Sequence, residues 1–99
     1  MDLSRQLKIA NGTGTLLFGQ RQASDACAKG DAKCIIYAAN CQQEYIDEMT
    51  AKHPEVTMHR TMLVNRDLGT ASGKPFAVST ITVIDAGESE LLTLRGNLE

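Results

Sequence analysis

The apolar positions of this chain switch repeatedly between two periods. In "DLSRQLKIAN", Leu3, Leu7 and Ala10 recur at helical spacing, with Asp2 placed as an N-cap and "GTG" as the break. "TLLF" is an apolar run of strand length, closed by Gly19. "QRQASDACAK" returns to helical spacing, with Ala23, Ala26 and Cys27 on one face and Gly30 in the position after the last turn. "CIIYAA", Cys34 to Ala39, is apolar throughout, the pattern of a central strand covered on both faces, as in parallel sheets. "NCQQ" reads as a loop. "EYIDEMTAKH" is helical through Tyr45, Ile46, Met49 and His53, and Pro54 stops it. "VTMHR" is a third strand. "VNRDLGTASG" is a short helix with Asn65 as its cap, "AVSTITVID" a long β-branched strand, and "GESELLTLR" one further helix.

The predicted order is α-β-α-β-α-β-α-β-α, which implies an α/β fold with helices on both faces of one sheet. Ninety-nine residues are one domain, 1–99, with no repeat or linker in the pattern. In such folds the loops at one end of the sheet converge and carry binding residues. Three loops are expected on one rim: Gly19 to Gln22, Asn40 to Gln43, and Gly69 to Phe76.

Charge alters this picture little. There are 10 basic and 12 acidic residues. Up to Ile84 the balance is nine basic to eight acidic; from Asp85 onward Asp85, Glu88, Glu90 and Glu99 face one base, Arg95. The body is near neutral with an acidic tail from about residue 85, so charge alone gives no support to nucleic-acid binding. No apolar run approaches the ~20 residues of a membrane span, and "MDLSRQLKIANGTG" lacks a signal-peptide h-region, so a cytoplasmic protein without a membrane partner is expected.

Candidate chemistry narrows further. "GTASGK" invites comparison with a Walker loop, but Gly69 and Gly73 enclose three residues rather than four, and Pro75 stands where the hydroxyl should be. A strand follows where a helix is needed. Cys27, Cys34 and Cys41 lie seven apart, without the close pairs of a zinc site. Cys27 and Cys34 read as core and Cys41 as the most exposed of the three. The acids, Asp47-Glu48, Glu88 and Glu90, form no pairing suited to general acid–base work. No catalytic group, metal site, cofactor or small-molecule substrate is expected.

Two stretches remain. In "FGQRQ", a glycine between strand and helix exposes backbone N–H groups, and Arg21 in the first turn opposes the helix dipole. Either an anionic partner explains that cation or it is merely solvated. In "GTASGKPF", Phe76 is one of only four aromatics. It either stacks on an unstacked base beside a glycine loop or opens the strand and points inward.

Taken together, "DLSRQLKIANGTGTLLFGQRQ", "GDAKCIIYAANC" and "NRDLGTASGKPFAVSTITVID" resemble the superfamily of ribosomal proteins that bind kink-turn RNA, in its archaeal and eukaryotic large-subunit branch. The resemblance covers Asp2 to about Leu92. It implies a three-layer α/β/α sandwich with a mixed four-stranded sheet. It also implies a structural, non-catalytic role in the large subunit, with rRNA and neighbouring ribosomal proteins as partners. A stand-alone kink-turn protein in RNA processing or regulation is the alternative, with a small α/β enzyme or a protein–protein adaptor as lesser readings. By position, Gly19 and Arg21 match the family's G-x-K, Asn40 its strand-closing Asn, and Gly73, Lys74 and Phe76 its G-K-x-F. The implied RNA-binding set is Gly19, Gln20, Arg21, Gln22, Asn40, Gly73, Lys74 and Phe76, with Lys74 on phosphate and Phe76 stacking.

Most of the departures remove cations, many lysines of the first two helices among them. Asp25 stands where the family usually has Lys, and its spacing suggests a pair with Arg21. "CQQ" replaces "CPP", and Ala77 replaces a common Arg. The non-specific electrostatic share of RNA affinity is therefore expected to be small. Adaptation to a salty cytoplasm and reliance on neighbouring proteins for assembly are both compatible with this pattern.

Overall fold

A computed structural model describes residues 3–93. The chain alternates α1 (Leu3–Thr13), β1 (Thr15–Phe18), α2 (Gln20–Lys29), β2 (Cys34–Tyr37), α3 (Gln43–Lys52), β3 (Thr57–Arg60), α4 (Asn65–Ala71) and β4 (Thr80–Asp85), then a single 3₁₀ turn at Leu91–Thr93. The four strands form one sheet in the order β1-β4-β2-β3. β4 runs antiparallel to both neighbours, and β2 and β3 are parallel, so the sheet is mixed.

The apolar run of β2 is covered on both faces. Cys34 and Ile36 join Leu3, Leu7 and Ala10 of α1, Leu68 of α4, and Ile81 and Val83 of β4 in one core. Ile35 faces the other way, onto Ala23 and Cys27 of α2 and Met49 of α3. This alternation produces the three layers: α1 and α4 on one face, α2 and α3 on the other. The small residues Ala23, Ala26 and Cys27 let α2 lie close to the sheet, over the face of β4 that carries buried Thr80 and Thr82.

Several boundaries differ from the sequence expectation. α1 continues through Asn11 and Gly12, and Thr13 Oγ1 donates to Ile9 O at 2.7 Å. The stop falls at Gly14, where a Cβ would lie 2.1 Å from Asp85 O, so the close passage of β4's end decides it. Asp2, the expected cap, lies outside the described residues. β2's fully buried run reflects two covered faces rather than an all-parallel sheet, since one neighbour is antiparallel. β4 begins at Thr80: just before it, Val78 N–H turns to Asn65 O at the start of α4 and Ser79 O accepts from Ala38 N–H. The expected last helix is one 3₁₀ turn; its residues beyond 93 lie outside the described chain. The acidic segment is anchored as far as Leu91, which is fully buried. Glu88 N–H donates to Thr13 Oγ1 at 2.9 Å and Glu90 N–H to Gln6 Oε1 at 2.7 Å.

Candidate nucleic-acid interface

The strand directions gather the expected loops at one end. Tyr37 pairs with Thr80 and with Arg60, and Phe18 pairs with Ile81. The C-terminal ends of β1, β2 and β3 and the start of β4 therefore share a rim. Backbone bonds knit it: Gly19 N–H to Thr80 O, Ala38 N–H to Ser79 O, Ala39 N–H to Leu63 O and Val78 N–H to Asn65 O, all between 2.8 and 2.9 Å.

Gly19 turns the chain from β1 into α2 at φ 103°, a conformation that L side chains rarely adopt. No side chain caps α2, so its first-turn N–H groups face the rim. Arg21 and Gln22 are exposed there. The expected Arg21–Asp25 pair is not formed: both residues are exposed and no ion pair joins them. An exposed i,i+4 pair offsets little of the entropy of fixing two side chains. Gln20 turns partly inward. Its Nε2 donates weakly to Cys41 Sγ at 3.9 Å, and its carbonyl accepts from Tyr45 Oη at 2.8 Å.

Cys41 is the most exposed of the three cysteines, yet it too is buried, at 9% exposure. It packs with Tyr37 and Ile46 beneath the rim, and its Sγ also lies 3.9 Å from Thr80 Oγ1. A small soft thiol fills a gap under a loop as readily as under a sheet. Burial pushes the Cys27 thiol upward in pKa, with Glu55 adding to the shift, which keeps it protonated and inert. Among the described residues no three His, Cys, Asp or Glu side chains converge to hold a metal ion.

Asn40 is exposed at the end of β2, and its side chain reaches the start of α4. Its Oδ1 accepts from Asn65 N–H at 2.9 Å, and its Nδ2 donates to Asn65 Oδ1 at 3.2 Å. Asn65 is therefore the first helical residue rather than the cap, and the capping acceptor comes from another loop.

The loop after α4 explains its own composition. Gly69 is buried, and a Cβ there would fall 2.0 Å from Phe76 O. Only glycine lets the 75–77 segment cross the helix this closely. Gly73 stands at φ 78°, and Lys74 N–H returns to Gly69 O at 2.9 Å. Phe76 does not point inward: it is 57% exposed. It stands between two grooves, one of about 400 Å³ along Phe18, Gly19, Gln20 and Ser79, the other of about 370 Å³ along Arg66, Thr70, Lys74 and Pro75. Lys74 Nζ lies 4.4 Å from the centroid of the Phe18 ring.

All eight expected site residues thus lie on or beside the rim, though Gln20, Asn40 and Lys74 spend polar groups on neighbouring protein atoms. Sequence reasoning missed Met62, Val64 and Arg66. Met62 is 70% and Val64 40% exposed in the β3–α4 connection, on the same rim. The available signal was "TMLV", an apolar stretch just past a strand end and before a helix start.

Fold and rim together define an α/β/α domain whose convergent loops present an exposed aromatic, backbone donors and scattered cations. The family model of the ribosomal protein L7Ae/L30e/S12e/Gadd45 family matches residues 1–93. The chain is 36% identical over 95 residues to the large ribosomal subunit protein eL30 of Methanosphaerula palustris, covering 96% of this chain and 98% of that one. Similar proteins of the same description occur in Methanospirillum hungatei, 36% identical over 94 residues with 95% and 98% covered, and Methanococcus vannielii, 30% identical over 97 residues with 96% and 92% covered. The chain belongs to the ribosomal protein L7Ae/L30e/S12e/Gadd45 family.

Proposed function

We propose that this protein is a structural constituent of the large ribosomal subunit and binds rRNA at a kink-turn or similar internal loop. Neighbouring large-subunit proteins are its other partners, and the cytoplasmic ribosome is its location. The observation that carries the reading is the exposed Phe76 held between two grooves at the rim. A surface aromatic seated on a glycine-crossed loop suits stacking on a base splayed out of a helix. Gly19, Arg21 and Gln22 offer backbone N–H groups and a guanidinium beside it. Asn40 retains an unused lone pair and one amide proton. The role is non-catalytic: the similar proteins carry the names of ribosomal constituents, and the rim is furnished for holding RNA geometry.

The test is a titration of the purified protein against a kink-turn RNA and a plain duplex of equal length, at low and high potassium with magnesium present. Preference for the kink-turn that survives high salt is expected, because stacking and shape dominate where cations are few. Equal, salt-labile binding to both RNAs, or none, would overturn the reading. Co-sedimentation with large subunits separates a ribosomal constituent from a stand-alone RNA-binding protein.

A further inference from the structure

The two grooves beside Phe76 differ in charge. The one toward α2 is lined by glycine, amide, hydroxyl and apolar groups, while the one toward α4 carries Arg66 and Lys74. Sequence position gives the phosphate contact to Lys74, but the structure commits that side chain elsewhere. Its ammonium lies 4.4 Å from the Phe18 ring centroid, its backbone N–H is bonded to Gly69 O, and it is only partly exposed. Over an aromatic face a cation is held electrostatically without a counter-ion. Swinging it out to a phosphate would give up the contact with Phe18 that ties the turn to β1.

Arg66 has the opposite character. It lies in the first turn of α4, is exposed, and its guanidinium makes no ion pair or hydrogen bond among the described residues. Its planar fork matches phosphate oxygens, and it lines the groove that adjoins Phe76.

We propose a division of labour between the two cations: Arg66 contacts the RNA phosphate next to the base on Phe76, while Lys74 is a positioning residue that acts through Phe18 to hold the 73–76 turn. The inference rests on the RNA-binding reading above.

The experiment measures kink-turn affinity against potassium concentration for wild type, Arg66→Gln, Lys74→Gln, Lys74→Arg, Phe18→Leu and the Phe18→Leu/Lys74→Gln double variant. Losing one phosphate contact makes the slope of log affinity against log salt shallower by about 0.7 to 0.9. Arg66→Gln is expected to show that change, with a several-fold loss at low salt that shrinks at high salt. Lys74→Gln is expected to lose several-fold at every salt concentration with the slope unchanged. Lys74→Arg restores binding, because a guanidinium also lies well over a ring. Phe18→Leu reproduces Lys74→Gln, and the double variant is no worse than either. A shallower slope in Lys74→Gln equal to that of Arg66→Gln would overturn the assignment. So would an unchanged slope in Arg66→Gln, an exposed substitution that does not depend on core packing. Failure of the wild type to prefer kink-turn over duplex is a different result, and it removes the RNA reading itself.

Discussion

Asn40 and Asn65 are joined twice: Asn40 Oδ1 accepts the Asn65 backbone N–H, and Asn40 Nδ2 donates to the Asn65 side-chain carbonyl, at 2.9 and 3.2 Å. One side chain at the end of β2 thus fixes the first residue of α4. Because Asn65 O also accepts from Val78 N–H, the same pair sets where the chain re-enters the sheet after Phe76. Asn40 is a hinge pin of the rim as well as a candidate RNA contact.

The two roles separate by substitution. Asn40→Ala removes both bonds, with an expected cost of about 1 to 2 kcal/mol of stability, the usual value of a lost cap. Asn40→Asp keeps an acceptor for the Asn65 N–H, and the Asn65 amide can turn over to donate to it. Its stability is expected within about 1 kcal/mol of wild type, while a new negative charge on the rim weakens RNA binding. Urea midpoints with RNA titrations check both. An Asn40→Asp variant that binds RNA as well as wild type would remove Asn40 from the interface.

The two glycines of the loop should respond unequally. Gly69→Ala places a Cβ 2.0 Å from Phe76 O, with backbone on both sides, and a cost above about 3 kcal/mol is expected together with loss of RNA binding. At Gly73 nothing lies within 4 Å, so Gly73→Ala meets only the strain of φ 78°, about 1 kcal/mol. Thermal unfolding of the two variants should show that order. Equal losses would mean that the loop yields more easily than its crossing implies.

Phe76→Ala tests stacking with little structural disturbance. At 57% exposure the ring contributes little to the core, so stability should change by less than about 0.5 kcal/mol. RNA affinity should fall by roughly 1 to 3 kcal/mol, the usual value of one aromatic–base stack. Unchanged affinity would leave the grooves without a stacking partner between them.

The alternation of periods made the element order readable, and the glycines at 19 and 73 made the rim readable, because both signals are local. What the sequence hid is long-range. The Asn40–Asn65 pair joins loops 25 residues apart, so Asn65 looked like its own helix cap. Lys74 looked like a free cation because Phe18 meets it only once β1 and the α4–β4 loop are adjacent. Cys41 sits in the polar stretch "NCQQ", yet the α3 packing encloses it. Met62 and Val64 carry no local signal of exposure, which depends on β3 ending at Arg60.

Tyr45 ties α2 to α3 beneath the rim, and its behaviour with pH follows from that position. Its Oη donates to Gln20 O at 2.8 Å and lies 3.3 Å from Ser24 Oγ. Burial raises its pKa above the ordinary 10.0, and the Ser24 hydrogen bond only partly opposes this. A raised folded pKa means that the neutral phenol is the form the fold favours. Its contribution is whole below the ordinary value and drains away as pH climbs through the raised one. Tyr45→Phe should therefore be less stable than wild type at neutral pH by about 1 kcal/mol, the net worth of one hydrogen bond. The gap should narrow once the pH exceeds 10.0, because only the wild type then gains by unfolding and ionising. Urea unfolding of both proteins at neutral and alkaline pH measures the gap directly. A constant gap would mean that the phenol ionises as readily in the fold as in the open chain.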